Sequence, residues 1–239
     1  MAQNGLKQRV QKGETVVGMR TALSFSRDDF KKAMDFGPYD FAFVDGQHSA
    51  FSQQGLVDFC NMADEFDMPV RFRIEHRQEA HLIGNFLDLG PSGIEVPQVE
   101  LVSEVDESIE NFYYPPLGNR SFGGGARKSA EDLAAPEEYA EWWNSYGVLW
   151  IQVESVAAVI NAYGLAQDGV DCVAFGPSDL ALNLAHNPHP HLESVDDCVR
   201  HVVQALEGTP TAVCFRNAPG TRQKYADLGV TVFLESPGA

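Results

Sequence analysis

The sequence has 239 residues and a formal net charge of −17, a length that fits one α/β barrel or two small domains. Such an acidic chain disfavours nucleic acid and anionic membranes as partners, and no apolar run approaches the ~20 residues of a membrane-spanning helix. The first fifteen residues are polar rather than signal-like, and the four cysteines form no CxxC pair. We therefore expect a cytoplasmic protein with reduced thiols, bound to neither nucleic acid nor membrane.

Short, apolar, β-prone runs alternate with amphipathic helical patterns along the chain. The predicted strands are Thr15–Thr21, Phe41–Val44, Val70–Ile74, Gly93–Val96, Val148–Val153, Cys172–Phe175, Thr211–Phe215 and Thr231–Leu234. The predicted helices are Arg27–Phe36, Ser52–Phe66, Gln78–Leu89, Ser103–Phe112, Pro136–Ser145, Val156–Tyr163, Val195–Leu206 and Thr221–Leu228.

Strict β/α alternation predicts a parallel sheet, and eight units predict closure into a (β/α)8 TIM barrel that occupies residues 1–239 as a single domain. Only Glu235 to Ala239 follow the last predicted strand. We therefore expect the eighth outer helix to be absent or truncated, and another subunit to cover the face that it would otherwise cover.

Two segments end on carboxylates directly after predicted strands: Ile151–Ser155 contains Glu154, and Phe175–Leu180 contains Asp179. The carboxyl ends of parallel strands lie together, so both carboxylates are expected at the edge where such folds place their chemistry. Two hard oxygen ligands suit a divalent cation that keeps its other positions for water or substrate. Taken singly, each residue also fits a simpler interpretation, in which Glu154 caps the next helix and Asp179 closes a turn.

A polar loop follows the second predicted strand and carries Asp45 and His48. An imidazole just past a strand end can act as a base near neutral pH, and Asp45 could orient it or bind a metal-bound water. The alternative is a hydrogen-bonded loop histidine with no catalytic role.

The third and fifth predicted strands carry further polar groups. Alternation places Arg71 and Arg73 on the same face of the third strand, where a buried arginine pair needs anionic partners. Arg73 at the strand end would polarise a carbonyl or hold a carboxylate. Gln152 lies on the same face as Glu154 and could bind a substrate oxygen.

Two more positions are candidates for the site. Gly176, Pro177 and Ser178 lie at a loop-to-helix start, where free backbone N–H groups suit a carboxylate. Asp88 ends a predicted helix, where the helix dipole disfavours a negative charge. That placement weakly indicates a functional reason for Asp88.

Together these segments resemble the class II pyruvate aldolases of the HpcH/HpaI aldolase/citrate lyase family. The order and spacing of Gln152-Val153-Glu154 and Gly176-Pro177-Ser178-Asp179-Leu180 are the most specific part of the resemblance. The similar segments run along nearly the whole chain and also include Phe41–His48, Phe72-Arg73, Leu87–Gly90, Val96–Glu100 and Tyr114–Gly118.

The resemblance implies a function for each part of the site. Glu154 and Asp179 would hold a divalent ion (Mg²⁺, Mn²⁺ or Co²⁺) that chelates a 2-oxo acid. Arg73 would stabilise the enolate oxygen, and Gln152 would contact the substrate.

The resemblance also implies a base and an assembly. His48 would serve as base through a metal-bound water, with Asp45 nearby, and Asp88 of a neighbouring subunit would support His48. Members of the family exchange their last helix within dimers, and the dimers form hexamers, so a homo-oligomer, a dimer or a hexamer, is expected.

Two departures from the family pattern lie where substrate is chosen. Gln47 stands where the family usually has Glu, which removes one negative charge beside the site. Arg20 stands on the first strand in place of an aromatic residue. An arginine in a closed pocket needs an anion, either a neighbouring acidic side chain or a second carboxylate of the substrate.

Three functions remain open at this point. The favoured one is a metal-dependent lyase that cleaves a 4-hydroxy-2-oxo acid to pyruvate and an aldehyde, or runs in reverse, with 2-oxo acids and aldehydes as small-molecule partners. The second is decarboxylation of an oxaloacetate-like acid on the same scaffold. The third is a non-catalytic protein that binds an acidic metabolite.

Overall fold

A computed structural model describes residues 5–133 and 135–238. Eight parallel strands pair in sequence order, and the last pairs with the first, so that the sheet closes into a barrel. The strands are β1 (Val16–Thr21), β2 (Phe41–Asp45), β3 (Val70–Arg73), β4 (Gly93–Val96), β5 (Val148–Val153), β6 (Cys172–Phe175), β7 (Ala212–Arg216) and β8 (Val232–Glu235). The predicted TIM barrel is confirmed, and each strand lies within one residue of its predicted bounds at either end.

Helices connect the strands on the outside of the barrel. They are α1 (Leu6–Gln11), α2 (Arg27–Met34), α3 (Gln53–Asp64), α4 (Ile83–Leu87), α5 (Val102–Phe112), α6 (Pro136–Tyr146), α7 (Val156–Ile160), α8 (Ala162–Leu165), α9 (Pro177–His186), α10 (Val195–Ala205) and α11 (Arg222–Ala226). The predicted helix Gln78–Leu89 is instead a 3₁₀ turn followed by α4. The sequence analysis did not predict α1.

Serine caps fix where several of these helices begin. Ser52, Ser155 and Ser194 each accept a hydrogen bond from a backbone N–H of the first helical turn. At α2 the Ser26 hydroxyl accepts from the Asp29 N–H, and the Ser26 backbone N–H donates to the Asp29 carboxylate, which completes a capping box. Each cap satisfies an N–H group that the helix leaves unpaired, and Ser155 rather than Glu154 caps α7.

The barrel interior is apolar at its amino-terminal end except for Arg71 of β3. Arg71 is buried beside the Phe41 ring and, against the expectation from the sequence, forms no salt bridge with a described residue. Alternation sends Phe41 and Phe43 of β2 inward, where they meet Trp150 and the inward side chains of β6 to β8. Leu6 and Val10 of α1 join the same cluster, so α1 closes the bottom of the barrel. The interior is therefore a packed core and not a pore.

A buried ion pair fastens α1 in that position. The Lys7 ammonium contacts Asp171 at 2.9 Å and donates to the Tyr113 hydroxyl at 2.8 Å. Burial lowers the pKa of Lys7, and the charge of Asp171 partly offsets that effect.

The carboxyl-terminal end of the barrel is polar. The same alternation places Arg20, Asp45, Arg73, Glu95, Gln152 and Arg216 on inward positions there. Between β8 and Gly238, the last residue described, there is no helix.

None of the helices in the described part of the chain combines the length and hydrophobicity that a membrane span requires.

Candidate active site

A cavity of about 470 Å³ opens at the carboxyl ends of the strands. All nine predicted metal-binding, base and substrate residues other than Asp45 and Asp88 line it. The lining residues are Arg20, His48, Arg73, Gln152, Glu154, Gly176, Pro177, Ser178, Asp179, Arg216, Asn217, Ala218, Leu234 and Ser236. The barrel therefore gathers residues that lie more than 200 positions apart in the sequence.

Glu154 and Asp179 meet in this cavity. Glu154 follows β5 and is buried, and Asp179 lies in the first turn of α9. Burial first, and then the negative charge of Asp179, raise the pKa of Glu154 to about 7. Asp179 itself is exposed. A buried carboxylate beside a second negative charge is unfavourable unless a cation or a proton joins them.

The free oxygen of Glu154 indicates how a cation would fit. Gln152 Nε2 donates to Glu154 Oε1 at 2.7 Å, whereas the buried Oε2 atom has no hydrogen-bond partner. Within residues 5–133 and 135–238, no three His, Cys, Asp or Glu side chains gather around one point. Two carboxylates with open remaining positions are the donor set by which Mg²⁺ is held together with its water and substrate ligands. The residues present therefore fit a divalent ion of that kind.

Gly176 has no side chain, and this leaves room for the Glu154 carboxylate. A Cβ atom on Gly176 would lie 1.8 Å from Glu154 Oε1, far inside van der Waals contact. Its φ of −98° is ordinary, so the glycine is required by the approach of Glu154 and not by backbone strain.

The amino-terminal end of α9 faces the same cavity. Pro177 occupies the first helical turn, and Gly176 supplies no side-chain cap. Since the first N–H groups of a helix have no partner within it, those of Ser178 and Asp179 remain donors for a carboxylate at the cavity wall.

Arg73 is held rigidly between two partners. Its Nε donates to Asp45 Oδ1 at 2.9 Å and its Nη2 to Asp45 Oδ2 at 2.5 Å. Its Nη1 donates to Gln152 Oε1 at 3.0 Å. Burial raises the pKa of Asp45, but the hydrogen bond and charge of Arg73 outweigh that effect and hold the pKa below its usual value. Arg73, Asp45, Gln152 and Glu154 thus form one connected chain of polar groups.

His48 lies on the exposed loop after β2 and lines the cavity. Its backbone N–H donates to Asp45 Oδ1 at 3.3 Å, and that of Gln47 donates to the same oxygen at 2.9 Å. Asp45 therefore shapes the loop through its backbone. Both carboxylate oxygens of Asp45 are engaged by Arg73 and the loop N–H groups, and among the described residues Asp45 makes no hydrogen bond to the imidazole. A contribution of Asp45 to the orientation of His48 stays a prediction.

Asp88 does not line the cavity. It follows α4 and accepts a hydrogen bond from Arg120 Nη2 at 2.9 Å. Gly124, with a φ of +76°, passes so close that a Cβ there would lie 2.5 Å from that of Asp88. Asp88 therefore does not reach the cavity of its own chain. Its support of His48 stays a prediction that requires Asp88 of a neighbouring subunit.

Arg216, which lines the cavity, and its buried partner Glu95 were not predicted. Arg216 ends β7 and Glu95 lies on β4, and they form a salt bridge across the barrel interior. Arg216 also donates to the Phe175 carbonyl at 2.8 Å. The sequence does contain a signal for this pair. Each of the two strands is apolar apart from one charged residue at an inward position, and a charged side chain there requires a partner of opposite charge.

Arg20 lines the cavity from β1, as predicted, and is exposed to it. Among the described residues it forms no salt bridge. Its guanidinium is therefore available to a ligand.

A parallel barrel with a carboxylate pair, a fixed arginine and a histidine at its carboxyl-terminal mouth belongs to the class of barrel enzymes that act at that face. The sequence profile of the HpcH/HpaI aldolase/citrate lyase family matches residues 26–217. The chain belongs to this family, as the sequence analysis indicated, and it is an enzyme of the aldolase and lyase type.

Relatives and solved structures agree with this assignment. The chain is 31% identical over 195 residues to the hydroxypyruvate/pyruvate aldolase of Delftia acidovorans, covering 80% of this chain and 71% of that protein. It is 30% identical over 197 residues to the 2-keto-3-deoxy-L-rhamnonate aldolase of Klebsiella pneumoniae, covering 80% and 72%. The crystal structure of an HpcH/HpaI aldolase from Desulfitobacterium hafniense superposes with a TM-score of 0.81 at 27% identity, covering 97% of this chain and 89% of the other.

Proposed function

We propose that this protein is a divalent-metal-dependent aldolase that cleaves a 4-hydroxy-2-oxo acid to pyruvate and an aldehyde, or joins the two. The observation that carries the proposal is the meeting of Glu154 and Asp179 in one cavity with a buried Glu154 oxygen that has no partner. Both relatives named above are aldolases.

A bound divalent ion would supply Lewis acidity toward the ketone of the substrate. Glu154 and Asp179 would hold it, with Mg²⁺, Mn²⁺ and Co²⁺ as the candidates. Ser178 and Asp179 N–H groups at the start of α9 orient the substrate carboxylate.

Arg73 prepares the site for the charge that develops in the reaction. Its guanidinium is fixed by Asp45 and Gln152 before substrate arrives, so no reorganisation is needed when the ketone oxygen becomes an enolate oxygen. Gln152 is itself fixed by Arg73 and Glu154, and it spaces the arginine from the metal carboxylate.

His48 would move the proton. In the cleavage direction it takes the proton from the C4 hydroxyl, the C3–C4 bond breaks, and the electron pair passes to the enolate of the 2-oxo acid while the aldehyde leaves. A proton delivered to C3 then gives pyruvate. His48 lies on an exposed loop of the cavity, where it can exchange its proton with solvent between turnovers.

Decarboxylation of an oxaloacetate-like acid is a second candidate. It forms the same enolate and uses the same Arg73, but it needs no base for a hydroxyl proton. The lack of a side-chain contact between Asp45 and the His48 ring favours this possibility.

We also propose a homo-oligomer, a dimer or a hexamer. Leu101, Ile160, Tyr163 and Leu182 are large apolar side chains exposed on this chain, and contact with another copy would remove them from water. The cytoplasmic location stays a prediction; all four cysteines are free and buried, which suits a reducing compartment.

The test of the metal site uses two isosteric variants. Glu154→Gln and Asp179→Asn each remove one of two carboxylate ligands, so calorimetry should register no divalent-ion binding and turnover should vanish in both. Undiminished metal affinity in both variants would remove the assignment.

A further inference from the structure

We infer that Arg20 and Arg216 form an anion subsite for a second carboxylate of the substrate, and that Glu95 is the positioning residue that holds Arg216 in place. This inference rests on the proposed function for the position of the first carboxylate, at the metal side of the cavity.

The cavity has a charged floor that spans the barrel. β4 and β7 are three strands apart in the closed sheet, so the bond between Glu95 and Arg216 Nη2 crosses the interior instead of linking neighbouring strands. Glu95 is fully buried, and the Arg216 guanidinium lies 5.4 Å from the Phe43 ring centroid. With the further bond to the Phe175 carbonyl, Arg216 is fixed at the centre of the barrel rather than free to swing.

No acidic side chain of the described residues pairs with Arg20. Asp45 is bound through both oxygens to Arg73. Glu95 is bound to Arg216 through one oxygen, and its other oxygen is buried without a hydrogen-bond partner. Arg20 is exposed to the cavity and free to meet a ligand, and we therefore assign its anion to the substrate.

The two arginines share one stretch of the wall. β1 is separated from β7 only by β8, and both side chains line the same cavity. Poor hydration in the wall, and next the positive charge of Arg216, lower the pKa of Arg20. Two cations that repel each other across a cavity create a site that an anion between them relieves.

The distance around the barrel separates this subsite from the metal side. β1 and β5 face each other in a ring of eight strands, so Arg20 lies across the cavity from Glu154. A three-carbon 2-oxo acid held at Glu154 and Asp179 fills a small part of 470 Å³ and leaves the arginine wall uncovered. Only a longer substrate reaches both sides.

The charge at the subsite indicates a carboxylate. Glu95 neutralises Arg216, which leaves one net positive charge, that of Arg20. A singly charged group matches it, whereas a doubly charged phosphate would remain uncompensated. The second carboxylate can belong to the aldehyde component or to C3 of the 2-oxo acid, and the two carriers are separated by experiment.

The test compares matched substrates in the Mg²⁺-supplemented enzyme. One pair is succinic semialdehyde and butanal, each joined to pyruvate. The other pair is oxaloacetate and 2-oxobutanoate, each used as the 2-oxo acid in place of pyruvate. Arg20→Met should raise KM for the carboxylated member of a pair at least ~10-fold, as for a lost charge-assisted hydrogen bond, with little change for the uncharged member. Arg200→Met, which removes an arginine of α10 that pairs only with Asp197, is the charge control and should leave both unchanged.

Arg216 is tested together with its partner, because removing it alone strands a buried carboxylate. The double variant Glu95→Gln/Arg216→Met should lose the same preference while its thermal midpoint stays near that of the parent. Glu95→Gln alone should weaken the preference by releasing Arg216, and Glu95→Asp should restore part of it.

A binding measurement makes the inference independent of turnover. Calorimetry with glutarate and butanoate should give tighter binding of glutarate to the parent protein and to Arg200→Met, and no such difference in Arg20→Met. That result without any aldol turnover would support the subsite and overturn the proposed function. Aldol turnover with equal effects of Arg20→Met on charged and neutral substrates would overturn the subsite alone. A preference confined to succinic semialdehyde assigns the carboxylate to the aldehyde, and one confined to oxaloacetate assigns it to the 2-oxo acid; both support the subsite.

Discussion

Replacement of Gly176 by alanine should disable metal binding without touching a ligand. The added Cβ would lie 1.8 Å from Glu154 Oε1 and 2.6 Å from its Cγ and Cδ. Non-bonded heavy atoms need about 3.5 Å, so the Glu154 carboxylate must retreat by about 1.7 Å from the added Cβ. Ligand distances at a divalent ion tolerate only about 0.2 Å.

The expected magnitude follows from that displacement. Disturbing the support of a metal ligand costs about 10–100-fold in affinity or activity, and overpacking costs about 1–3 kcal/mol of folding stability. Because the φ of Gly176 suits alanine, no further backbone penalty applies. The predicted outcome is a folded protein with a divalent-ion affinity reduced about 10–100-fold.

Calorimetry of Mg²⁺ or Mn²⁺ binding measures the affinity, and thermal unfolding measures the stability. The matched control is Gly125→Ala, where no atom lies within 4 Å of the added Cβ. If Gly176→Ala and Gly125→Ala bind the ion with equal affinity, the contact between Gly176 and the metal carboxylate does not matter, and the reasoning is refuted.

Three further outcomes are expected. His48→Ala should lower the rate of aldol cleavage by ~10²-fold, the usual effect of a positioned base. Metal affinity should stay nearly unchanged, and oxaloacetate decarboxylation should be better preserved. Cleavage at the parental rate would make His48 structural. The affinity for the divalent ion should fall by about tenfold per pH unit below pH 7. The reason is that burial and Asp179 raise the pKa of Glu154 to about 7, and Glu154 must lose its proton to bind metal. An affinity that calorimetry shows to be independent of pH would contradict this. Light scattering at micromolar concentration should give a multiple of 26.3 kDa, and a monomer would contradict the proposed homo-oligomer.

The architecture was accessible from the sequence because each strand is a short apolar run with its own boundaries. The barrel follows from the number and alternation of these runs, without knowledge of any long-range contact. Glu154 and Asp179 were placed in one cavity for the same reason: each follows the carboxyl end of a strand, and these ends lie at the same edge of a parallel barrel.

What the sequence did not predict depends on contacts across the barrel. Glu95 and Arg216 are 121 residues apart, and their pairing requires knowing which inward positions face each other through the interior. Asp45 was expected beside the His48 ring because the two are neighbours in the chain, whereas Arg73 from the next strand takes both of its oxygens.

Asp88 shows the same limit for a surface residue. Its position at a helix end suggested a function, but the partner within the chain, Arg120, lies in the long loop Tyr113–Ala130, for which the sequence carries no regular pattern. Helix α1 was missed because six residues are too few to give a clear helical period.

The most direct test of the proposed chemistry is the release of pyruvate from a 4-hydroxy-2-oxo acid by the chelator-treated enzyme, before and after addition of a divalent ion. The account predicts no release above background without the ion and full recovery with Mg²⁺, Mn²⁺ or Co²⁺, but none in Glu154→Gln. Pyruvate release at an undiminished rate in the presence of chelator would contradict it.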